Sequence, residues 1–211
     1  MNALLINGSP RKEWNTAKLL KEAQKGAESA GADTKLINLI DLKFSGCVSC
    51  FGCKRKGGHP GSCAVKDDLT EILEYAMTCG AVIIGSPVYC GDVTGMTRNF
   101  IERFAFMNGS YSVEKRNMCP VKINSAFIYT MNVNETTSEN YRYIYESNQR
   151  TLSRLNGKSL YYLATDTYQF DDYDKYEASM FDEPRKRANR ESQFPEDCSA
   201  CYDIGKRLAE K

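Results

Sequence analysis

Two groups of side chains in this sequence have the types and spacing to do chemistry. The first is Asn7-Gly8-Ser9-Pro10-Arg11-Lys12-Glu13-Trp14-Asn15-Thr16. Its hydroxyls (Ser9, Thr16), guanidinium (Arg11) and amide (Asn15) form a donor set that suits a phosphate monoester. The apolar run Ala3-Leu4-Leu5-Ile6 precedes it, and a helical pattern with Leu20, Ala23, Ala27 and Ala30 on one face follows. A strand, a short polar loop and a helix in succession aim free backbone N–H groups at an anion. The stretch is neither Gly-x-x-x-x-Gly-Lys-[Ser/Thr] nor Gly-x-Gly-x-x-Gly, so a nucleoside triphosphate or dinucleotide is not its first reading. The competing reading is an ordinary strand–helix turn with a good N-cap.

The second group is Cys47-x2-Cys50-x2-Cys53, with Cys63 after nine intervening residues. Three thiolates at this spacing can converge on one face of a cluster, and a fourth from the same loop can close a [4Fe–4S] site. A structural zinc ion and free thiols are the alternatives; zinc lacks a second Cys-x2-Cys at finger-like distance. Gly57, Gly58, Pro60 and Gly61 would let the loop bend back, and His59 reads as a turn residue. Lys54, Arg55 and Lys56 would balance a cluster's negative charge or simply be solvated. Cys198-x2-Cys201 falls in a helical pattern and reads as inert thiols, Cys79 and Cys119 as packing residues.

These groups need a scaffold, and the chain supplies an alternating one. Strands are expected to about Ile6, then over 34–39, 81–85, 121–130 and 159–164. Helices are expected over 16–30, from a capping box at Asp68-Leu69-Thr70-Glu71, through Met96, Phe100, Ile101 and Phe104, over 138–155, and after Pro195. Gly31, Gly80 and Gly157 read as helix ends. Five strands alternating with helices imply an α/β fold: a doubly wound five-stranded parallel sheet with helices on both faces. In such sheets ligands sit outside the carboxyl ends of the strands. The 7–16 loop and the Ser86–Gly95 loop are therefore expected neighbours. The 211 residues favour one domain over 1–211, with a cysteine-rich loop at 40–66 and a helical extension from about 166. That extension is rich in tyrosine and acidic residues, then in basic ones.

A net charge of +1 argues against nucleic acid as a partner. No apolar run approaches the ~18 residues of a membrane span, and no signal-like start is seen, so a cytoplasmic protein is expected. Nine cysteines, an odd count, argue against a complete set of disulfides.

With these residues in place, the chain resembles the flavodoxin-like NAD(P)H-dependent FMN oxidoreductases, in the branch that includes iron–sulfur flavoproteins. The matching residues are Gly8-Ser9-Pro10-Arg11 with Asn15-Thr16, Cys50-Phe51-Gly52-Cys53 with Cys63, Asp67-Asp68, and Gly85-Ser86-Pro87-Val88-Tyr89. The resemblance covers the first half of the chain. It implies non-covalent FMN, with the phosphate at Ser9, Arg11, Asn15 and Thr16 and the isoalloxazine at Pro87, Val88, Tyr89, Cys90 and Gly91. Tyr89 either stacks on the ring or is a buried packing tyrosine. The loop Thr130-Met131-Asn132-Val133-Asn134 lacks the glycines many relatives carry there. The branch implies a 4Fe-4S cluster on Cys47, Cys50, Cys53 and Cys63, although the gap before Cys63 exceeds the usual one.

The function implied is hydride uptake from NAD(P)H and electron delivery to a quinone, an aromatic compound, free flavin or a protein, in a homodimer or homotetramer. No side chain need act as acid or base, which agrees with the lack of a Ser–His or His–carboxylate arrangement. The rival is an electron carrier: an iron–sulfur flavoprotein or flavodoxin-like module reduced by a partner such as ferredoxin. A flavin-free metal-binding protein is a third reading.

Overall fold

The computed structural model describes residues 1–57 and 60–210; the turn expected at His59 lies outside them. The parallel sheet is assembled from β1 (Asn2–Asn7), β2 (Asp33–Asn38), β3 (Ala81–Tyr89), β5 (Ile123–Thr130) and β6 (Asn156–Ala164), in the order β2-β1-β3-β5-β6. A sixth strand, β4 (Asp92–Val93), pairs antiparallel with the end of β3. The expected five-stranded parallel sheet is thus present, with a short hairpin added that two residues could not announce through periodicity. β3 is central and its first six residues are buried, as a strand covered on both faces requires.

α1 (Asn15–Ser29) and α6 (Glu183–Ala209) cover one face. The other carries α2 (Leu69–Ala76), α3 (Gly95–Asn108) and α5 (Arg142–Leu152), with a single turn, α4 (Glu135–Ser138), before α5. The expected stripe of α2, Leu69, Ile72, Leu73 and Ala76, is buried, as are Phe100, Ile101 and Phe104 of α3; Met96 is only half-buried.

Four expectations are corrected. The helix expected over 138–155 is broken into α4, a 3₁₀ turn, α5 and a second 3₁₀ turn. Asn156, at φ +68°, takes the left-handed position assigned to Gly157, which lies inside β6. Gly157 is there because a Cβ would meet the Ile123 carbonyl oxygen at 2.0 Å. Asp68 does not cap α2: its carboxylate accepts from the Lys43 N–H (2.7 Å), and Asp67 accepts from the Leu69 N–H (3.1 Å). Finally, α6 starts at Glu183, capped by Asp182, whose carboxylate accepts from the Arg185 N–H (3.1 Å), and runs on through Pro195. An interior proline costs about 3 kcal/mol in an unsupported helix. Here Phe194, Cys201, Ile204 and Leu208 bury against the α1 face of the sheet and offset it.

Candidate active site at the carboxyl edge of the sheet

The first loop is pinned from two sides. Gly8 N–H donates to the Gly85 carbonyl (2.8 Å), and the Gly8 carbonyl accepts from the Thr94 hydroxyl (2.6 Å). Thr97 packs so close that a Cβ on Gly8 would lie 1.8 Å from its Oγ1. Ser86 Oγ in turn accepts from the Thr94 N–H (3.1 Å). The carboxyl ends of β1 and β3 and the start of α3 are thereby one unit, and the two loops are the neighbours the topology implied.

Between them lies a cavity of about 350 Å³ lined by Ser9, Arg11, Asn15, Thr16, Pro87, Val88, Tyr89 and Cys90. That is within the ~300–1,000 Å³ of small-molecule sites. Eight of the nine expected ligand-binding residues thus meet in one place. Gly91, the ninth, forms with Cys90 the two-residue turn between β3 and β4. Their φ values of +50° and +80° match the type I′ geometry that suits tight hairpins. Its carbonyl accepts from the Tyr143 hydroxyl (2.9 Å). Tyr89 is 47% exposed, so it is not a buried packing tyrosine.

The first turn of α1 has no side-chain cap, although Ser9, Asn15 and Thr16 are all nearby. Its N–H groups therefore remain available, and the reading of this loop as a well-capped turn falls. Arg11 lies over the Trp14 ring (4.0 Å) and donates to the Gln169 carbonyl (2.7 Å). Asn15 Nδ2 and Trp14 Nε1 donate to the Tyr168 carbonyl (2.9 and 3.1 Å), and Arg190 of α6 donates to Asn15 Oδ1 (2.9 Å). The segment after β6 is thus a fourth wall, contributing Thr167 and Gln169.

Trp14, Thr130, Met131, Asn132, Thr167 and Gln169 also line the cavity, although none of them is among the expected ligand-binding residues. The position of 130–132 at the end of a central strand was the signal available for three of them; nothing local marks 167–169. The loop after β5 reaches the cavity without glycines. Asn132 Oδ1 is buried there with no partner among the described residues, an acceptor aimed at nothing in the protein.

The cysteine loop forms a separate site. Cys47, Cys50, Cys53 and Cys63 line one small cavity with Phe51, Phe106 and Arg103. Ser49 and Phe51, at φ +53° and +56°, turn the chain sharply on either side of Cys50. Left-handed backbone is unusual for a bulky residue and collects at functional sites. Cys53 is buried and Cys63 partly so, while Cys47 and Cys50 are exposed. Burial raises the Cys53 thiol pKa, with Lys54 pulling the other way. Burial opposes the charge on Arg103, but the Asp67 carboxylate and the adjacent Cys63 thiol hold its pKa above the ordinary value. No three His, Cys, Asp or Glu side chains among the described residues are close enough to hold a single metal ion.

Of the thiols outside this loop and Cys90, Cys79 and Cys201 are buried and Cys119 and Cys198 half-buried. Cys79 and Cys119 are pushed up to about 11 by burial, and Cys201 is raised further for the same reason. No helix among the described residues is long and apolar enough to cross a membrane.

Residues 1–132 match the family described as NADPH-dependent FMN reductase. Among curated proteins, an iron-sulfur flavoprotein of Archaeoglobus fulgidus is 35% identical over 122 residues, which are 57% of this chain and 58% of that one. One of Methanocaldococcus jannaschii is 36% identical over 103 residues, 49% and 51% of the two chains. The matched stretch spans about half the length of these relatives. Among solved structures, NAD(P)H:quinone oxidoreductase from Methanothermobacter marburgensis superposes with TM-score 0.69 at 14% identity, covering 100% of this chain and 98% of that one. An FMN-dependent NADH-azoreductase from Bacillus anthracis, solved with FMN, gives TM-score 0.67 at 12% identity, with 99% of each chain covered. At such identities the superpositions speak for the fold, whereas the match over 1–132 takes in both loops and the cysteine run: the chain belongs to the NADPH-dependent FMN reductase family.

Proposed function

We propose that this protein is an FMN-dependent oxidoreductase that takes hydride from NAD(P)H and passes electrons to a small-molecule or protein acceptor. The observation that carries the reading is the cavity at the carboxyl edge, where the uncapped α1 N-terminus and the β3–β4 turn face one space. Ser9, Arg11, Asn15, Thr16 and the first-turn N–H groups of α1 would hold the phosphate. Backbone N–H groups of 88–91 would bond the pyrimidine edge, with Pro87, which has no N–H, shaping the turn and Tyr89 beside the ring. Asn132 Oδ1 fits a ligand N–H or hydroxyl, the donor it lacks in the protein. When bound, FMN supplies the hydride-accepting chemistry; the residues bind and orient it and favour the charge that develops on reduction.

Cys47, Cys50, Cys53 and Cys63 would hold a [4Fe–4S] cluster. Four thiols on one cavity beside a buried cation support this, and the Cys-x2-Cys-x2-Cys run is the spacing that a cluster of this kind uses. A cluster supplies one-electron transfer, and the cavity must open on the exposed Cys47 and Cys50 side to admit it. The proposal includes assembly into a homodimer or homotetramer, which a monomeric mass in solution would refute.

The test is an absorption spectrum of protein purified without oxygen, with iron and acid-labile sulfide analysis, followed by addition of NADH or NADPH. Flavin bands bleached by either nucleotide alone are expected. Flavin that only a partner protein reduces would make this an electron carrier. A flavin-free preparation that also takes up no added FMN would refute the main reading. Flavin without stoichiometric iron and sulfide would leave a simple reductase with the cysteine loop as a wall.

A further inference from the structure

Arg103 does something at the cysteine loop that packing alone does not require. It projects from α3, its side chain is 0% exposed, and its Nε has no partner among the described residues. Its Nη1 donates to Asp67 Oδ2 (2.5 Å) and to the Ser45 carbonyl (3.3 Å), and its Nη2 to the Val65 carbonyl (3.1 Å). Ser45 lies two residues before Cys47, and Val65 two residues after Cys63. One guanidinium therefore joins the two ends of the loop that carries all four thiols, and Asp67 adds a bond from the Ser45 N–H (3.3 Å). Arg103 also lines the same cavity as those thiols.

We propose that Arg103 is the positioning residue of the four-thiol site: it clamps the neck of the loop and sets a buried positive charge against the thiolates. A buried cation is tolerated only when it is paired and hydrogen-bonded. Asp67 and the two carbonyls engage the outer nitrogens, while Nε has no partner among the described residues and the side chain lines the cavity of the thiols. A planar fork is needed to reach Ser45, Val65 and Asp67 together, which a lysine ammonium, a point charge, does less well. Cluster potentials respond to net charge and to hydrogen bonds on the sulfurs. Arg103 then favours the reduced, more negative cluster, while Asp67 tempers that effect.

This inference rests on the cluster reading above and deepens it. The test compares full-length wild type, Arg103→Lys, Arg103→Met and Asp67→Asn, each reconstituted without oxygen with ferrous iron and sulfide. Iron and sulfide per chain, the rate of iron loss to a chelator and the midpoint potential by spectroscopic titration are read. Asp67→Asn is expected to shift the potential positive. Arg103→Met is expected to shift it negative, and Arg103→Lys to keep it near wild type but lose iron several-fold faster. Should Arg103→Met fail to fold, Asp67→Asn and Arg103→Lys carry the comparison. Wild-type potential and wild-type iron retention in both would overturn the role of Arg103 and leave the cluster reading standing. A wild type that takes up neither iron nor sulfide would overturn both.

Discussion

Replacing Arg11 by alanine tests the phosphate end of the cavity. In the structure Arg11 stacks on Trp14 and gives one donor to the Gln169 carbonyl. A guanidinium has five N–H donors, so a phosphate can be engaged without giving up that bond. The affinity lost on truncation is then the phosphate contact itself. Hydrogen bonds to charged groups are worth about 1.5–3 kcal/mol, and an exposed one belongs at the lower end. Arg11 is exposed, so about 1.5 kcal/mol is expected, or roughly tenfold in Kd. The assay is flavin fluorescence quenching as FMN is titrated into apoprotein, at low and at high salt. The deficit should shrink at high salt, where exposed charges are screened. Lys12→Ala is the control, because Lys12 pairs with Asp41 (3.0 Å) and does not line the cavity. An Arg11→Ala protein with wild-type affinity, or one no weaker than Lys12→Ala, would show that the phosphate lies elsewhere.

Other outcomes follow from packing and titration. In Gly205→Ala a new Cβ would sit 1.8 Å from the Ala23 carbonyl oxygen, forcing α6 off α1. Because the clash is with backbone, overpacking at the upper end, about 3 kcal/mol, applies; less the about 1 kcal/mol regained in helix propensity, it should lower Tm by roughly 4–8 °C, and an unchanged or raised Tm in a thermal melt would contradict the close helix contact. In metal-free protein at pH 8 a thiol reagent should react quickly with the exposed Cys47, Cys50 and Cys90 and only after unfolding with the buried Cys53, Cys79 and Cys201. Loading iron and sulfide should protect Cys47 and Cys50, and equal labelling before and after loading would count against their ligation. Burial raises the Asp197 pKa above its usual 3.8, with Gln193 and Tyr162 opposing. The fold thus favours the protonated acid, so this residue's contribution to stability falls as pH rises from about 3.8 through the raised value. Asp197→Asn should flatten that part of the stability–pH curve, and an unaltered slope in urea melts across that range would refute the assignment.

The residues on which the ligand site was expected are clustered in sequence because each group is one loop, and a loop's composition is local information. Ser9, Arg11, Asn15 and Thr16, and again Pro87 to Cys90, could be singled out for that reason, and the alternation of apolar runs placed both loops at one edge of the sheet. The cysteine spacing likewise identified four thiols that share a cavity. The strands of the parallel sheet lie where the pattern placed them; burial on both faces explains the continuous apolar runs of β1 and β3, whereas the edge strands β2 and β6 are only partly buried.

What the linear chain did not disclose depends on contacts between distant segments. α6 runs through Pro195 because its apolar side is covered by α1 and the sheet. The break in the 138–155 helix has no local mark in the sequence either. Gly26 and Gly205 look like weak helix residues until each is seen against the backbone of the other helix, where an added Cβ would lie within 2 Å of a carbonyl oxygen. The wall made by Tyr168 and Gln169 is built from backbone carbonyls, whose position no side-chain pattern encodes. Arg103 reads in sequence as one more polar residue on a helix; only the folding of two loop ends onto it reveals a charge held out of water. Sequence determined which groups could do chemistry, because residue type and spacing are local properties. Tertiary structure decided which of them meet, because distance and burial are set by the whole chain at once.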